Sequence, residues 1–280
     1  MREFTFISIT YNHENYIIEH LESMKTVIQH YGKEIQIDYL LSDDGSKDRT
    51  CEIAEEWLKN NSALFRRYVI LNDGENHGTV RNCLRAINHL KTEQFKFLAG
   101  DDMYLDKNLF ALFEGQEKCL VLTPILAFGR EKEKRQIQFD EYFRLLKYLG
   151  STRKITRLIT MGNHFAAPGV FICGDGLSDA ALQTFLLQFR NIEDYPMWYY
   201  LLTKLKYSVK IVDEQYIAYR TGDGFSTSEK TKKEFRTERE HVRKALGSKL
   251  FKYPKYINPY KYLLRFYRFR ANRADRHNKK

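Results

Sequence analysis

Residues 4–44 read FTFISITYNHENYIIEHLESMKTVIQHYGKEIQIDYLLSDD and contain a complete strand–helix–strand unit. Residues 4–10 are β-branched and aromatic, which is the composition of a strand buried on both faces. Residues 15–31 then carry apolar side chains at helical spacing, and residues 35–41 repeat the composition of the first segment. The stretch therefore predicts two parallel strands joined by a crossover helix.

The same alternation continues to about residue 100. Helices are predicted at 48–60 and 80–90, and strands are predicted at 67–71 and 95–99. Strands that alternate with helices of this length are typical of an α/β, Rossmann-like, mostly parallel sheet with helices on both faces. Ligands of such sheets bind at the carboxyl ends of the strands, so the residues after each strand matter most.

The second half of the chain is less regular. Its apolar patterns predict helices at 139–149 and 178–189. Extended segments are expected at 120–128, 170–172 and 211–218. No internal repeat and no low-complexity linker interrupts the sequence.

Charge is unevenly distributed along the chain. The net charge is +10, and residues 229–280 hold 18 Lys and Arg against 5 Asp and Glu, which leaves 28 against 31 for residues 1–228. A mildly acidic body at 1–228 and a basic, aromatic C-terminal extension at 229–280 are predicted. Because the positive charge is concentrated in the extension, it is no argument that the body binds nucleic acid.

Composition excludes several classes of protein. With 43% apolar and 29% charged residues, the chain is neither disordered, collagen-like nor a coiled-coil rod. The longest apolar run spans 121–128, far below the roughly 20 residues that a bilayer crossing needs. The N-terminus lacks a signal-peptide pattern, and the four cysteines form no CxxC pair. We therefore expect a cytoplasmic protein with reduced thiols.

Acidic pairs follow two of the predicted strands. Asp43 and Asp44 follow the second strand, and Asp101 and Asp102 follow the fourth, at the same edge of the sheet. Like charges 4 Å apart repel by about 1 kcal/mol in water and about 4 kcal/mol near a protein surface, so such a cluster favours a bound cation. Carboxylates suit Mg²⁺ or Mn²⁺, which bind diphosphate oxygens. Each pair alone is more typical of a turn or a helix cap than of a site, but their joint occurrence favours a site.

Four motifs in this half resemble the family 2 glycosyltransferases with the GT-A fold. They read ISITYNHENYI (7–17), DYLLSDDGSKDRT (38–50), ENHGTVRNCLRAI (75–87) and FKFLAGDDMY (95–104). The resemblance covers residues 4–115 and weakens beyond residue 120. It implies a nucleotide-sugar donor, Mn²⁺ or Mg²⁺ as cofactor, and the bacterial surface-polysaccharide type of the family. Within the body it implies a nucleotide-sugar-binding half at 1–115 and an acceptor half at 116–228.

The resemblance also implies individual roles. Thr10 and Asp44 would contact the nucleobase, Asp101 would approach the ribose and the donor sugar, and Asp102 would bind the metal ion. The implied nucleotide-sugar-binding set is Thr10, Tyr11, Asn12, Asp43, Asp44, Asn76, Gly78, Arg81, Gly100, Asp101 and Arg220.

A motif in the second half, NIEDYPMW (191–198), resembles the ED motif of the same family. The resemblance implies that Asp194 is the catalytic base and that Glu193 is an acceptor ligand or tunes Asp194. Base assistance to the attacking hydroxyl is worth about 10²–10⁴-fold, and direct attack inverts the anomeric configuration. The alternative is that Asp194 only caps the following helix, although a cap needs no Glu193.

Two further segments resemble family features. Residues 162–164 and 166–169 fall where the family often binds acceptors, with His164 as either a ligand or a structural residue. Residues 219–226, YRTGDGFS, resemble a loop that closes over the donor. Many relatives carry a histidine there, whereas this chain has residues 221–223 as Thr-Gly-Asp, so the third metal ligand is open. Arg220 is either a diphosphate ligand or a surface residue.

The extension contains YPKYINPYKYLLRFYRFR at 253–270, with Pro259 suited to the first turn of a helix. Aromatic residues around a helix with basic stripes suit a membrane interface, where each Lys or Arg contributes about 1 kcal/mol. The alternatives are a helix packed on the body with a solvated basic face, and RNA binding through stacking residues.

The sequence thus predicts a metal-dependent, inverting glycosyltransferase. The expected donor is UDP-linked, and the expected acceptor is a glycan or a lipid-linked molecule in surface polysaccharide biosynthesis, with no nucleic-acid partner. Peripheral contact with the cytoplasmic face of the inner membrane is expected through 253–270. One alternative is a nucleotidyltransferase, which would carry a Gly-rich basic loop where this chain has Tyr11–Glu14. The other is a non-catalytic, membrane-associated glycan-binding protein.

Overall fold

The computed structural model describes residues 2–222, 229–247 and 259–278. The first part contains β1 (Arg2–Thr10), α1 (Ile17–Tyr31), β2 (Ile35–Asp43), α2 (Thr50–Asn60), β3 (Arg67–Leu71), α3 (Thr79–His89), β4 (Gln94–Ala99) and β5 (Met103–Tyr104). The second part contains β6 (Cys119–Leu122), β7 (Leu126–Gly129), α4 (Lys132–Leu149), α5 (Thr152–Ile159), β8 (Val170–Cys173), α6 (Ala180–Leu186), α7 (Asp194–Thr203), β9 (Ser208–Ile211), β10 (Ile217–Thr221), α8 (Glu229–Ala245) and α9 (Pro259–Asn278).

The main sheet has seven strands in the order β3-β2-β1-β4-β8-β6-β9. Strands β1 to β4 run parallel to their neighbours in this group, and β8 is antiparallel to both β4 and β6. Thr10 pairs with Asp43, and Ile9 pairs with Ala99, so the acidic strand ends meet at one edge. The predicted α/β, mostly parallel fold is confirmed.

A smaller sheet adjoins this edge. It has the order β5-β10-β7, with β10 antiparallel to β5 and parallel to β7. Leu105 N–H donates to Tyr216 O at 2.8 Å, which continues the pairing of β5 with β10. The second half of the chain thereby returns to the acidic edge built by the first half.

Apolar side chains pack against both faces of the main sheet. Phe4 and Phe6 of β1 point to one face and are fully buried, with their ring centroids 4.9 Å apart in an edge-to-face arrangement. Ile7 lies in the other core, together with Val80 of α3 and Trp198 of α7. Full burial of such side chains contributes roughly 1.5–3 kcal/mol each. Burial on both sides explains why β1 is a continuous apolar run.

Two predicted extended segments are wrong in their limits. Residues 120–128 form two strands in different sheets, because Pro124 lacks the N–H that a continued ladder needs. Residues 211–218 cover only the end of β9 and the start of β10. The predicted helix at 178–189 is shorter: it begins after Asp179, whose Oδ1 accepts the N–H of Leu182 at 2.8 Å.

The extension is packed on the body through both of its helices. Val242 and Leu246 of α8 and Leu264 of α9 belong to the same core as Trp198, and Ala271 of α9 is also buried. The division of the chain near residue 228 stays a prediction and falls in residues outside the described ranges. None of the described helices is both long and apolar enough to traverse a bilayer.

Candidate active site

Asp43 braces the end of β2. Its Oδ2 accepts the hydroxyl of Thr10 at 2.8 Å, and its Oδ1 accepts the N–H of Ser46 at 2.7 Å and the amide of Asn72 at 3.0 Å. The carboxylate is fully buried. Asp43 therefore fixes the loop after β2 to the end of β1 instead of offering an open ligand.

Asp44 fastens the loop before α3 to the same edge. Its two carboxylate oxygens accept the N–H groups of His77 at 2.8 Å and Gly78 at 3.0 Å. Burial raises the pKa of Asp44, and these two donors oppose the rise. Gly78 has φ +89°, and a Cβ there would lie 2.5 Å from Cγ of Arg190, so a glycine is required. Arg190 also donates to Asn76 O and Oδ1 at 3.1 and 2.9 Å.

Asp102 is buried, with 1% of its surface exposed. Its Oδ1 accepts the N–H of Arg220 at 2.8 Å, and its carbonyl accepts Nδ1 of His20 at 2.8 Å. Burial, and then the charge of Asp101, raise the pKa of Asp102 well above its usual value. Asp102 consequently joins β10 and α1 to the end of β4.

Asp101 is the more accessible carboxylate of this pair. Its side chain is 15% exposed, and its Oδ1 lies 4.0 Å from Nε2 of His13. The Nδ1 atom of His13 is buried without a hydrogen-bond partner. A Cβ on Gly100 would approach that Nδ1 to 2.9 Å and Thr10 Cγ2 to 2.6 Å, so the ring fits only against glycine.

Arg220 is held tightly beside these residues. Its Nε donates to Asp101 O at 2.8 Å, and its Nη2 pairs with Glu19. Its guanidinium lies 4.5 Å from the ring centroids of both Tyr16 and Phe128. These contacts anchor β10 to the acidic edge, and the predicted diphosphate contact of Arg220 stays a prediction.

Other members of the predicted set also lie at or near this edge. The N–H of Asn12 donates to Ser46 Oγ at 2.7 Å, and Asn12 Oδ1 accepts the N–H of Lys47 at 2.8 Å. Tyr11 is partly exposed, and Arg81 is exposed in the first turn of α3. Their predicted contacts with a nucleotide are not tested by these positions.

Glu193 and Asp194 lie at the start of α7. Asp194 Oδ2 accepts the side-chain amide of Asn163 at 2.7 Å. Burial raises the pKa of Asp194, and burial together with the charge of Asp194 raises the pKa of Glu193 to about 8. Glu193 occupies the N-cap position but makes no capping hydrogen bond. The pair therefore retains a proton at neutral pH.

Glu238 of α8 binds the segment that precedes this pair. Its Oε1 accepts the N–H groups of Arg190 at 2.6 Å, Asn191 at 2.6 Å and Ile192 at 3.2 Å. Its Oε2 accepts the side-chain amide of Asn191 at 3.1 Å. Sequence reasoning missed Glu238, because the extension was interpreted through its net charge. The signal it left was an acidic residue in a strongly basic helix.

One cavity brings the two halves of the chain together. It has a volume of about 640 Å³ and is lined by Asp102 at the sheet edge and by Glu193 and Asp194 of α7. Burial raises the pKa of the Cys83 thiol well above its usual value, and the charges of Glu193, Asp44 and Asp194 add to the rise. Carboxylates far apart in sequence thus line one cavity. Thr10, Asp44 and Asp101 lie at the strand ends, outside the lining of this cavity.

The acidic edge could hold a divalent cation with few protein ligands. Across the described ranges, no group of three or more His, Cys, Asp or Glu is arranged to hold a metal ion. Asp101 supplies an accessible carboxylate next to an imidazole. An ion such as Mg²⁺ is typically bound by one or two carboxylates, with substrate phosphates and water completing its shell. The residues present fit such an ion. Asp223 lies outside the described residues.

A mostly parallel sheet whose acidic edge shares a cavity with a Glu–Asp pair matches the GT-A class of fold. The chain belongs to the family described as Glycosyl transferase family 2, which matches residues 5–173. It is therefore a glycosyltransferase by family. A comparison with curated protein sequences returned no match.

Solved structures share the fold at low identity. Residues 1–349 of TarS from S. aureus, in complex with UDP-GlcNAc, align with a TM-score of 0.52 and 18% identity over 88% of this chain and 70% of that one. The mannosyltransferase PcManGT from Pyrobaculum calidifontis, in complex with GDP-Man and Mn²⁺, aligns with a TM-score of 0.56 and 12% identity over 91% and 67%. A longer TarS structure, also at TM-score 0.52 and 18% identity, aligns over 79% of this chain but only 37% of its own length.

Proposed function

We propose that this glycosyltransferase moves a sugar from a UDP-linked donor to a hydroxyl of a glycan or lipid-linked acceptor, with inversion at the anomeric carbon. The observation that carries the proposal is the cavity shared by Asp102 at the sheet edge and Asp194 on α7. Surface polysaccharide assembly is the proposed setting. The TarS structures with UDP-GlcNAc and with UDP support the choice of a UDP-linked donor.

Asp194 is the proposed general base. Its carboxylate removes the proton of the acceptor hydroxyl while that oxygen bonds to the anomeric carbon of the donor. The bond from the anomeric carbon to the diphosphate oxygen breaks, and its electron pair leaves with the nucleoside diphosphate. Asn163 orients the carboxylate through its 2.7 Å hydrogen bond. Glu193, protonated near neutral pH, adds no second negative charge beside the base.

Asp101 and Asp102 are the proposed protein ligands of a divalent cation, Mn²⁺ or Mg²⁺. Such an ion offsets the negative charge that develops on a departing diphosphate. The mannosyltransferase bound to Mn²⁺ supports the presence of a divalent ion. Asp102 was the predicted ligand, and the greater exposure of Asp101 makes it the more accessible one.

The proposed membrane contact is made by α9. One face of this helix packs on α4, whereas the aromatic side chains of Tyr262, Phe266 and Phe269 are 54–63% exposed. Aromatic side chains next to arginines suit the headgroup region of an anionic bilayer. We propose that this face holds the enzyme near a lipid-linked acceptor, on the cytoplasmic side of the membrane.

The test combines binding with turnover. Thermal melting is followed with UDP, GDP or neither, each with and without Mn²⁺, and slow hydrolysis of UDP-sugars is measured on the same sample. We expect UDP with Mn²⁺ to raise the melting temperature, and Asp194→Asn to lose about 10²–10⁴-fold in turnover while still binding UDP. No stabilisation by any nucleoside diphosphate, or full turnover by Asp194→Asn, would contradict the proposal.

A further inference from the structure

Three arginines line the active-site cavity on the side formed by the later helices. Arg135 projects from α4, and Arg239 and Arg243 project from α8. We refer to these three residues as the arginine wall. Since α4 and α8 are separate elements, the fold itself assembles this group.

The arginine wall has no carboxylate within ion-pair distance among the described residues. Within the described ranges, none of its members forms an ion pair with a carboxylate, and Arg135 donates only to the neutral Gln138 at 3.1 Å. Arg135 and Arg243 are partly buried and Arg239 is exposed, whereas two arginines near the acidic edge are paired: Arg85 lies 2.9 Å from Asp73, and Arg220 pairs with Glu19. Guanidinium groups that line a cavity without an ion-pair partner are suited to a ligand that brings the negative charge.

Few negative charges lie near the arginine wall, which also favours an anionic ligand. The positive charge of Arg239 acts on Asp194, and the charges of Arg243 and Arg268 act on His164. Burial, more than these charges, lowers the pKa of His164 to about 4, so this ring is neutral at physiological pH. Glu193 retains its proton at neutral pH, so the Glu193–Asp194 pair does not carry two negative charges beside the wall.

We propose that the arginine wall binds a phosphate group of the acceptor, next to the hydroxyl that Asp194 deprotonates. The inference rests on the proposed transfer reaction and names the class of its acceptor: a phosphorylated glycan or polyol. Guanidinium forks match phosphate oxygens in geometry, and a phosphate held there would set the distance from the acceptor hydroxyl to the base.

The donor diphosphate is the competing occupant, because the proposed cation ligand Asp102 lines the same cavity. The residues predicted to bind the nucleotide, Thr10 and Asp44 among them, lie at strand ends of the first half and outside the cavity lining. The wall is built entirely from helices after residue 130. An experiment with the donor site already filled by UDP and Mn²⁺ separates the two occupants.

Trp198 provides a reporter inside the cavity. It lines the cavity wall, its Nε1 is buried without a partner, and Trp57 of α2 is the only other tryptophan. In a Trp57→Phe background, with saturating UDP and Mn²⁺, fluorescence is titrated with glycerol 3-phosphate and with glycerol. Vesicles containing phosphatidylglycerol form a second arm, which reports a phosphate presented by a lipid.

We expect a saturable, salt-sensitive response to a phosphate source and none to glycerol. Arg239→Gln combined with Arg243→Gln should weaken that response by about 10- to 100-fold, from the loss of charge-assisted hydrogen bonds. Arg236→Gln is the matched control, because Arg236 is an exposed residue of the same helix outside the cavity lining. UDP binding, measured by melting, should be unchanged in both variants.

Three outcomes would overturn the inference. They are equal responses to glycerol and glycerol 3-phosphate, equal responses of the double variant and the control, and no response to either phosphate source by a protein that binds UDP. Each of these three results would contradict the phosphate-binding inference without contradicting the proposed transfer reaction. A folded protein that binds no nucleoside diphosphate would instead remove the proposed function and this inference together.

Discussion

The carboxylate of Glu238 holds the backbone N–H of Asn191 at 2.6 Å. This contact joins α8, in the basic extension, to the segment that carries the Glu193–Asp194 pair. Two further N–H groups of that segment bind the same oxygen. The C-terminal extension is therefore part of the site as well as an addition to the fold.

Replacing Glu238 should impair turnover more than donor binding. Glu238→Gln removes the charge that three backbone donors share, so the 190–192 segment gains freedom and Asp194 loses its fixed position. We expect kcat to fall about 10- to 100-fold, in line with the cost of a displacement near 1 Å, with a small change in the KM for the donor. Donor hydrolysis and UDP melting curves measure the two effects.

Glu240→Gln serves as the control, since Glu240 is exposed two residues further along α8. It should behave as the unmodified protein does in both assays. An equal loss of kcat in both variants, or a Glu238→Gln protein with normal kcat, would show that the contact of Glu238 with residues 190–192 does not position the base.

The sequence predicts the features that depend on local composition and misses those that depend on contacts between distant residues. The first four strands follow from local apolar composition, and the acidic edge follows from their parallel order, because the carboxyl ends of such strands must lie together. The split of 120–128 was missed although Pro124 was visible, because the second sheet that receives β7 exists only through long-range pairing with β10.

The sequence did not predict the hydrogen bonds that single side chains make with distant residues. The three backbone donors that Glu238 accepts come from residues 46 to 48 positions away, and no periodicity encodes them. The same holds for Asp102, whose contact with the backbone of Arg220 spans 118 positions. A pattern predicts which residue types lie at a strand end, whereas side-chain burial and exposure require the fold.

The two carboxylates of the acidic edge should differ in their effects. Asp101→Asn removes an accessible oxygen ligand and should raise the Mn²⁺ concentration needed for half-maximal hydrolysis by about tenfold or more, with little change in melting temperature. Asp102→Ala removes the buried oxygen that accepts the N–H of Arg220, so it should lower the melting temperature as well. A Mn²⁺ titration of both variants, with melting curves, separates a ligand from a structural contact. If only Asp102→Ala changes the Mn²⁺ requirement, Asp101 is not a ligand.

Asn163 should set the acid limb of the pH–rate profile. Its amide donates to Asp194, and this hydrogen bond favours the charged form of the base. Asn163→Ala should raise the pKa of Asp194, so the acid limb of kcat/KM moves to higher pH by about 1–2 units, from the loss of a hydrogen bond to a charged group. Thr160→Ala is the control, because that exposed hydroxyl donates only to Arg157 O. A profile that does not move would exclude this role.

The aromatic face of α9 should govern membrane binding. Phe266→Ser and Phe269→Ser each remove an exposed ring and should weaken flotation with phosphatidylglycerol vesicles by about tenfold. Ile137→Ser, at an equally exposed residue of α4, is the control for loss of apolar surface. Equal flotation of all variants, or binding that is indifferent to the anionic lipid, would contradict the proposed contact.

Glu193 should make the fold less stable as pH rises. Its pKa is raised from 4.5 to about 8 in the folded protein, chiefly by burial and then by the charge of Asp194, so the folded state holds this proton more tightly than the unfolded chain. Its contribution to the free energy of unfolding is thus complete below pH 4.5 and is lost as pH rises towards 8. Glu193→Gln cannot ionise, so its melting temperature should exceed that of the unmodified protein at pH 9 and approach it at pH 5. Thermal melts across this range, with Glu240→Gln as control, test the point, and a constant difference between the curves would show that Glu193 is ionised throughout.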